Sequence, residues 1–269
     1  MLDQRFGLRD TVACALLLLL FATDGRSETL TLEQDDSVVI LGNTFAERLH
    51  LYGYLETAMH CRFPDHHLRV RNMGWSADEV DLRIRPKGFP DLLDELRNLE
   101  ADVILLCFGM NESFGGPDKI DHFRRELGNF VSELQQQRFN GLAAPRIALV
   151  SPIAHEPKGG DLPSGVKHNL VLSRYAEAMA ETAEQRKVLY LDLFKPTLQW
   201  IAERPEQQLT RNGIHLTEYG DWVVSRMMAQ RLGWIDEANQ LRGNHGESAR
   251  RLRRAVYEKN YEFFNWWHP

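Results

Sequence analysis

The chain has 269 residues, 43% hydrophobic and 26% charged, with a formal net charge of −6. That length supports one large α/β domain with a sizeable core, or two small ones. The acidic balance argues against a nucleic-acid footprint spread over the whole molecule.

The N-terminus reads as a separate element. Arg5 and Arg9 precede an apolar run from Val12 to Ala22 that contains consecutive leucines from Leu16 to Leu20. Thr23 to Ser27 follow, small and polar, with Gly25 and Ser27 spaced like a cleavage site. This pattern predicts a signal peptide over residues 1–27, and the run is shorter than the ~20 residues a membrane span needs. The expected location is therefore secreted or periplasmic, the alternative being a chain anchored by an uncleaved signal. Cys14 precedes the leucines, which argues against a lipoprotein box. Of the cysteines beyond the signal, Cys61 and Cys107 lack metal-ligand spacing and read as buried free thiols.

Ser37-Val38-Val39-Ile40-Leu41-Gly42 predicts a strand buried on both faces, because its apolar run is continuous and β-branched. A helix is expected from Phe45, with Leu49, Tyr52, Met59 and Phe63 on one face, until Pro64 stops it. His67 to Asn72 alternates as an edge strand would and runs into a loop at Met73-Gly74-Trp75. Pro90 to Leu99 reads as a short helix. Asp102 to Phe108 is the strongest strand in the sequence and ends at Gly109-Met110-Asn111-Glu112-Ser113. A helix with Phe123, Leu127, Phe130, Val131 and Leu134 at helical spacing leads to a fourth strand, Arg146 to Val150. A helix bearing Leu172, Tyr175, Ala176, Met179 and Ala183 leads to a fifth, Val188 to Leu193. The last helix of the domain is expected at Thr217 to Leu232, with Thr217 as N-cap and Gly233 as its stop.

Strands alternating with helices imply a parallel sheet with right-handed crossovers and helices on both faces. In flavodoxin-like order the first and third strands flank the switch point, where ligands bind at the carboxyl ends. Topology thus gathers Gly42-Asn43-Thr44, Gly74 and Gly109-Met110-Asn111 on one edge. Thr44 sits on a strand-to-helix turn, where a hydroxyl serves either as a nucleophile or as a helix cap. His155, just beyond the fourth strand, is a candidate for lining the same pocket. Ser76 and Ser113 are loop serines that compete weakly as nucleophiles.

These residues resemble the SGNH (GDSL-type) hydrolases, and the resemblance covers about residues 37–234. Gly42-Asn43-Thr44 stands where that family has Gly-Asp-Ser. Asn72-Met73-Gly74 corresponds to its glycine block, Gly109-Met110-Asn111-Glu112 to Gly-x-Asn-Asp, and Asn212-Gly213-Ile214-His215 to Asp-x-x-His. The resemblance implies a three-layer, flavodoxin-like five-stranded sheet and an esterase or lipase, which the expected signal peptide would make an exported one. The residues show no metal cluster, phosphate loop or dinucleotide fingerprint, so no cofactor or metal is expected. The resemblance further implies Thr44 as nucleophile, His215 as general base and Asn212 as its orienting partner. The oxyanion hole would comprise the backbone N–H groups of Thr44 and Gly74 and the side chain of Asn111.

Two departures from the family pattern predict weakened turnover. Threonine at 44 keeps the hydroxyl but adds a methyl and a restricted χ1. Asn212 replaces a carboxylate that would stabilise the imidazolium; in serine proteases the same exchange costs about 10⁴ in turnover. Asp78, Glu79, Glu112 and Asp192 are candidate substitute carboxylates. The runner-up reading is a non-catalytic module that kept the pocket. Expected partners are a small-molecule, glycan or lipid ester and no nucleic acid. Residues 235–269 form a basic and aromatic extension, read as a terminal helix packing on the domain rather than docking on a membrane.

Overall fold

The structure, a computed structural model, describes residues 30–234 and 246–268. The expected signal segment lies outside these residues. The sheet contains β1 (Ser37–Gly42), β2 (Arg69–Asn72), β3 (Val103–Cys107), β4 (Arg146–Val150) and β5 (Leu189–Leu191), in the order β2-β1-β3-β4-β5. Every neighbouring pair is parallel. β1 and β3 are buried along their whole length, as their continuous apolar runs require, whereas β2 is the alternating edge strand. Gly42 pairs with Cys107, so β1 and β3 end level on the same edge.

Helices cover both faces. On one, α1 (Thr44–Arg48), α2 (Tyr54–Arg62), α7 (Phe194–Glu203) and α8 (Glu218–Arg231) enclose a core containing Val38, Ile40, Leu55, Met59, Val224 and Met228. On the other, α3 (Leu92–Asn98), α5 (Ile120–Gln135) and much of α6 (Val166–Arg186) enclose Val39, Ile104, Leu106, Leu127, Val131 and Met179. Each such aliphatic side chain removed from water stabilises the fold by about 1.5–3 kcal/mol before entropy is counted. A short α4 (Met110–Ser113) follows β3, and α9 (Glu247–Trp267) closes the described chain.

Two expectations need correction. The single helix expected from Phe45 to Phe63 is broken: a 3₁₀ turn at Leu49–Leu51 follows α1, and α2 starts only after Gly53. Gly53 has left-handed backbone (φ 67) and lies under Val256 of α9, where any Cβ would come within 2.8 Å of Val256 Cγ1. The apolar spacing of this segment survives the break because α1 and α2 pack on the same core. Cys61 is also exposed rather than buried, whereas Cys107 is buried; both are free.

Candidate active site

Asn43, not Thr44, caps α1: its Oδ1 accepts the Phe45 N–H at 3.0 Å. That frees the Thr44 hydroxyl from capping. Thr44 Oγ1 instead accepts the Ala77 N–H at 3.2 Å, which leaves its own proton available to a base. Thr44 is the first residue of α1, so its backbone N–H has no intrahelical acceptor and faces the edge where negative charge is favoured.

The glycine loop lies directly against α1. A Cβ on Gly74 would collide with the Glu47 backbone nitrogen, so no other residue permits this approach. Asn72 stitches the contact, donating Nδ2 to Ala46 O at 2.6 Å and accepting the Gly74 N–H on Oδ1 at 2.9 Å. The Gly74 N–H is thus held internally, and it serves an oxyanion only by sharing or exchanging that partner. Asn111, on α4, donates Nδ2 to Asp78 O over a long 3.4 Å, a bond weak enough to yield to a ligand. The backbone at Ala77 is left-handed (φ 66), strain that persists where the surroundings over-determine it.

His215 precedes α8, whose N-cap is Thr217. Burial lowers its pKa, the Arg48 guanidinium lowers it further, and the Glu47 carboxylate pulls it partly back. The imidazole is therefore neutral at neutral pH. Its Nδ1 lies 3.2 Å from Asn212 Nδ2. The amide orientation is set by Asn212 Oδ1, which accepts the His215 N–H at 3.0 Å and the Ile214 N–H at 3.5 Å. With the oxygen so engaged, the NH₂ group donates into Nδ1 and the ring proton resides on Nε2. A general base needs the opposite tautomer. Among the described residues no hydrogen bond joins Thr44 Oγ1 to His215.

Three of the four candidate carboxylates are engaged elsewhere. Asp78 pairs in two-pronged fashion with Arg85 at 2.7 and 2.6 Å. Glu112 accepts the Gly109 and Val80 N–H groups at 2.8 and 3.1 Å, and burial pushes its pKa up to about 7. Asp192 accepts the Lys195 N–H at the start of α7. Glu79 is tied into its own loop, its backbone N–H donating to Leu82 O at 3.0 Å, and it does not orient His215, whose Nδ1 faces Asn212.

The competing serines also resolve. Ser76 is exposed. Ser113 is buried, donates to Met110 O at 2.6 Å and meets His168 Nε2 at 2.7 Å; His168 Nδ1 in turn lies 2.9 Å from His155 Nδ1. His155 packs against Gly213 of the His215 loop, and Glu156 braces that loop through the Leu209 and Thr210 N–H groups. Among the described residues no three His, Cys, Asp or Glu side chains converge as a metal site.

Sequence reasoning missed Glu47, Arg48, His168 and Glu156. Arg48 carried a usable signal, since it follows Thr44 by four residues and so shares its helix face. His168 and Glu156 carried none, because their partners are distant in the chain.

A family model for GDSL-like lipases and acylhydrolases matches residues 36–223, well over half of the chain. The chain belongs to that family. Solved structures share its fold at low identity. A gut microbial diltiazem-metabolizing enzyme, BT4096, is 21% identical with a TM-score of 0.59 over 77% of this chain and 49% of its own, so the chain spans about half that protein's length. LAE5, an α/β hydrolase from the metagenome of Lake Arreo, Spain, is 18% identical with a TM-score of 0.59, over 77% of this chain and 100% of its own. A catalytic mutant of Axe2, an acetylxylan esterase from Geobacillus stearothermophilus, is 16% identical with a TM-score of 0.57, over 77% of this chain and 99% of its own. No curated protein sequence matches significantly. The five-stranded order β2-β1-β3-β4-β5 is the architecture expected of this family.

Proposed function

We propose that this GDSL-like hydrolase is exported and cleaves an acyl or acetyl ester on a carbohydrate or lipid, slowly, by nucleophilic acyl transfer from Thr44. The observation that carries the reading is Thr44 itself: released from capping by Asn43, it follows β1 at the sheet edge, and its hydroxyl accepts from Ala77 of the loop that follows Gly74. The fold shared with an acetylxylan esterase supports the carbohydrate-ester class. The charged and apolar leader supports export.

In this mechanism the Thr44 oxygen attacks the ester carbonyl carbon while its proton passes to His215 Nε2. The carbonyl oxygen becomes an oxyanion, met by the Thr44 N–H and the Asn111 amide, with Gly74 contributing once it leaves Asn72. Collapse breaks the C–O bond to the alcohol, which takes the proton from His215. Water then repeats the sequence on the acyl-threonine, releasing the acid. The first step requires His215 to shift its proton from Nε2 to Nδ1, against the Asn212 amide. That shift is the expected bottleneck.

Hydrolysis of p-nitrophenyl acetate and of acetylated xylo-oligosaccharides, measured for the purified chain and for His215→Ala, tests the proposal. A common background rate for both proteins would end it. The Asn212 amide favours a second reading, a module that binds the same esters without turnover. Calorimetric binding of the acetylated oligosaccharide with no hydrolysis would establish that reading instead.

A further inference from the structure

Helix α9 lies beyond the residues the family model matches, yet its last turn reaches the glycine loop. Midway along, α9 is anchored to α2 and the edge of the sheet: Asn260 Nδ2 donates to Glu56 at 3.0 Å, and Lys259 Nζ donates to Val70 O at 2.7 Å. At its end, Trp267 is buried and donates Nε1–H to Met73 O at 3.2 Å, one residue before Gly74. The ring of His268, which follows, stacks on Trp75 at 4.3 Å, one residue after Gly74.

These contacts belong to a longer stack of planar groups. His50 stacks on Phe264 at 4.3 Å, Phe264 on His268 at 4.1 Å, and the Arg85 guanidinium sits 4.1 Å from the outer side of the ladder, over Trp75. The rungs come from three separate segments: the turn after α1, the end of α9 and the loop after Gly74. The outer rung continues into the site, because Arg85 grips the Asp78 carboxylate and the Asp78 carbonyl accepts from Asn111. One end of α9 is therefore joined to all three elements that would supply oxyanion donors: α1, the Gly74 loop and Asn111.

We propose that α9 belongs to the active-site machinery, with Trp267 and His268 as positioning residues that hold the Gly74 loop against α1. Aromatic stacking and a cation over an indole each add modestly to affinity, and in series they fix the spacing of the segments they join. A loop with left-handed backbone at Ala77 needs such external restraint. The catalytic consequence rests on the esterase reading; the positioning itself does not.

The test uses the full chain with Trp267→Phe, which keeps a ring but removes the N–H, and His268→Ala, which removes one rung near the chain terminus. Tyr257→Ala, on the exposed side of α9, is the control. Hydrogen–deuterium exchange of residues 72–80 should rise about tenfold or more in both variants and stay unchanged in the control, with residues 120–135 as internal reference. If the chain hydrolyses p-nitrophenyl acetate, kcat should fall about tenfold or more with KM nearly unchanged. Unchanged exchange at 72–80 in folded Trp267→Phe or His268→Ala overturns the positioning role, even in an active enzyme. Raised exchange in a chain with no hydrolysis upholds the positioning role while the esterase reading falls. Should Trp267→Phe fail to fold, His268→Ala decides alone.

Discussion

Replacing Asn212 by aspartate should convert a slow site into a fast one. In the native chain Asn212 Oδ1 already accepts the His215 and Ile214 N–H groups, and the carboxylate introduced by Asn212→Asp would keep those bonds through one of its oxygens. The second oxygen would take the place of Nδ2, 3.2 Å from His215 Nδ1, and accept a proton there instead of donating one. The ring would then carry its proton on Nδ1 and offer the Nε2 lone pair to Thr44. The carboxylate would also raise the His215 pKa, now held down by burial and Arg48. The equivalent exchange in serine proteases is worth about 10⁴ in turnover, or about 5.5 kcal/mol of barrier. That figure is an upper bound here, because the half-buried pair feels solvent and Arg48; a gain of about 10² to 10⁴ in kcat is expected. The assay is kcat and KM for p-nitrophenyl acetate near pH 8, with the double variant Asn212→Asp, His215→Ala as the background control. Nitrogen-15 shifts of the His215 ring report the tautomer directly. An Nδ1–H tautomer in the native chain, or an unchanged rate in a variant that has adopted it, refutes the reasoning.

Other outcomes follow from the same geometry. Thr44→Ser should preserve or raise activity by removing the crowding methyl, whereas Thr44→Val should abolish it with little loss of Tm; a fully active valine variant removes Thr44 from the mechanism. Glu112→Gln should destabilise by about 1–3 kcal/mol, because an amide offers only one acceptor to the buried Gly109 and Val80 N–H groups. Thermal unfolding at pH 8 checks this, and an unchanged Tm contradicts it. Finally, burial lowers the pKa of His50, His155, His215 and His268, and of His168 to about 4. At these rings the unfolded chain binds protons that the folded chain refuses, so their share of the stability is full above about pH 6.5 and is lost as pH drops, for His168 through about pH 4. Buried Glu112 and Asp221, raised to about 7 and about 8, contribute with the opposite sign. Urea unfolding of the native chain and of His168→Gln at pH 7.5, 5.5 and 4.5 isolates the His168 share, and an identical pH profile for the two contradicts the assignment.

The strand pattern and the sheet edge carrying Thr44, Gly74 and Asn111 were readable from the sequence, while the flavodoxin-like strand order and the part expected of His215 came through the family resemblance. The first two each rest on a local regularity: β1 and β3 are continuous apolar runs, the helices repeat at their own period, and parallel crossovers leave few topologies. The family resemblance came from blocks only a few residues long, and the family match covers them. What escaped were relations between side chains distant along the chain. Nothing local in Asn43-Thr44 says which residue caps α1, since both are good caps; the position of Ala77, beside Thr44, decides it. Nothing in Asn212-Gly213-Ile214-His215 says which way the amide faces, because its orientation depends on how two backbone N–H groups converge on one oxygen. The break at Gly53 and the reach of Trp267 to Met73 likewise depend on α9 crossing chain far from it in sequence. Periodicity and propensity act within a turn or a strand, and so they are written in sequence order. Protonation, capping choice and aromatic stacking act over a few ångströms of space, and only the folded chain brings their partners together.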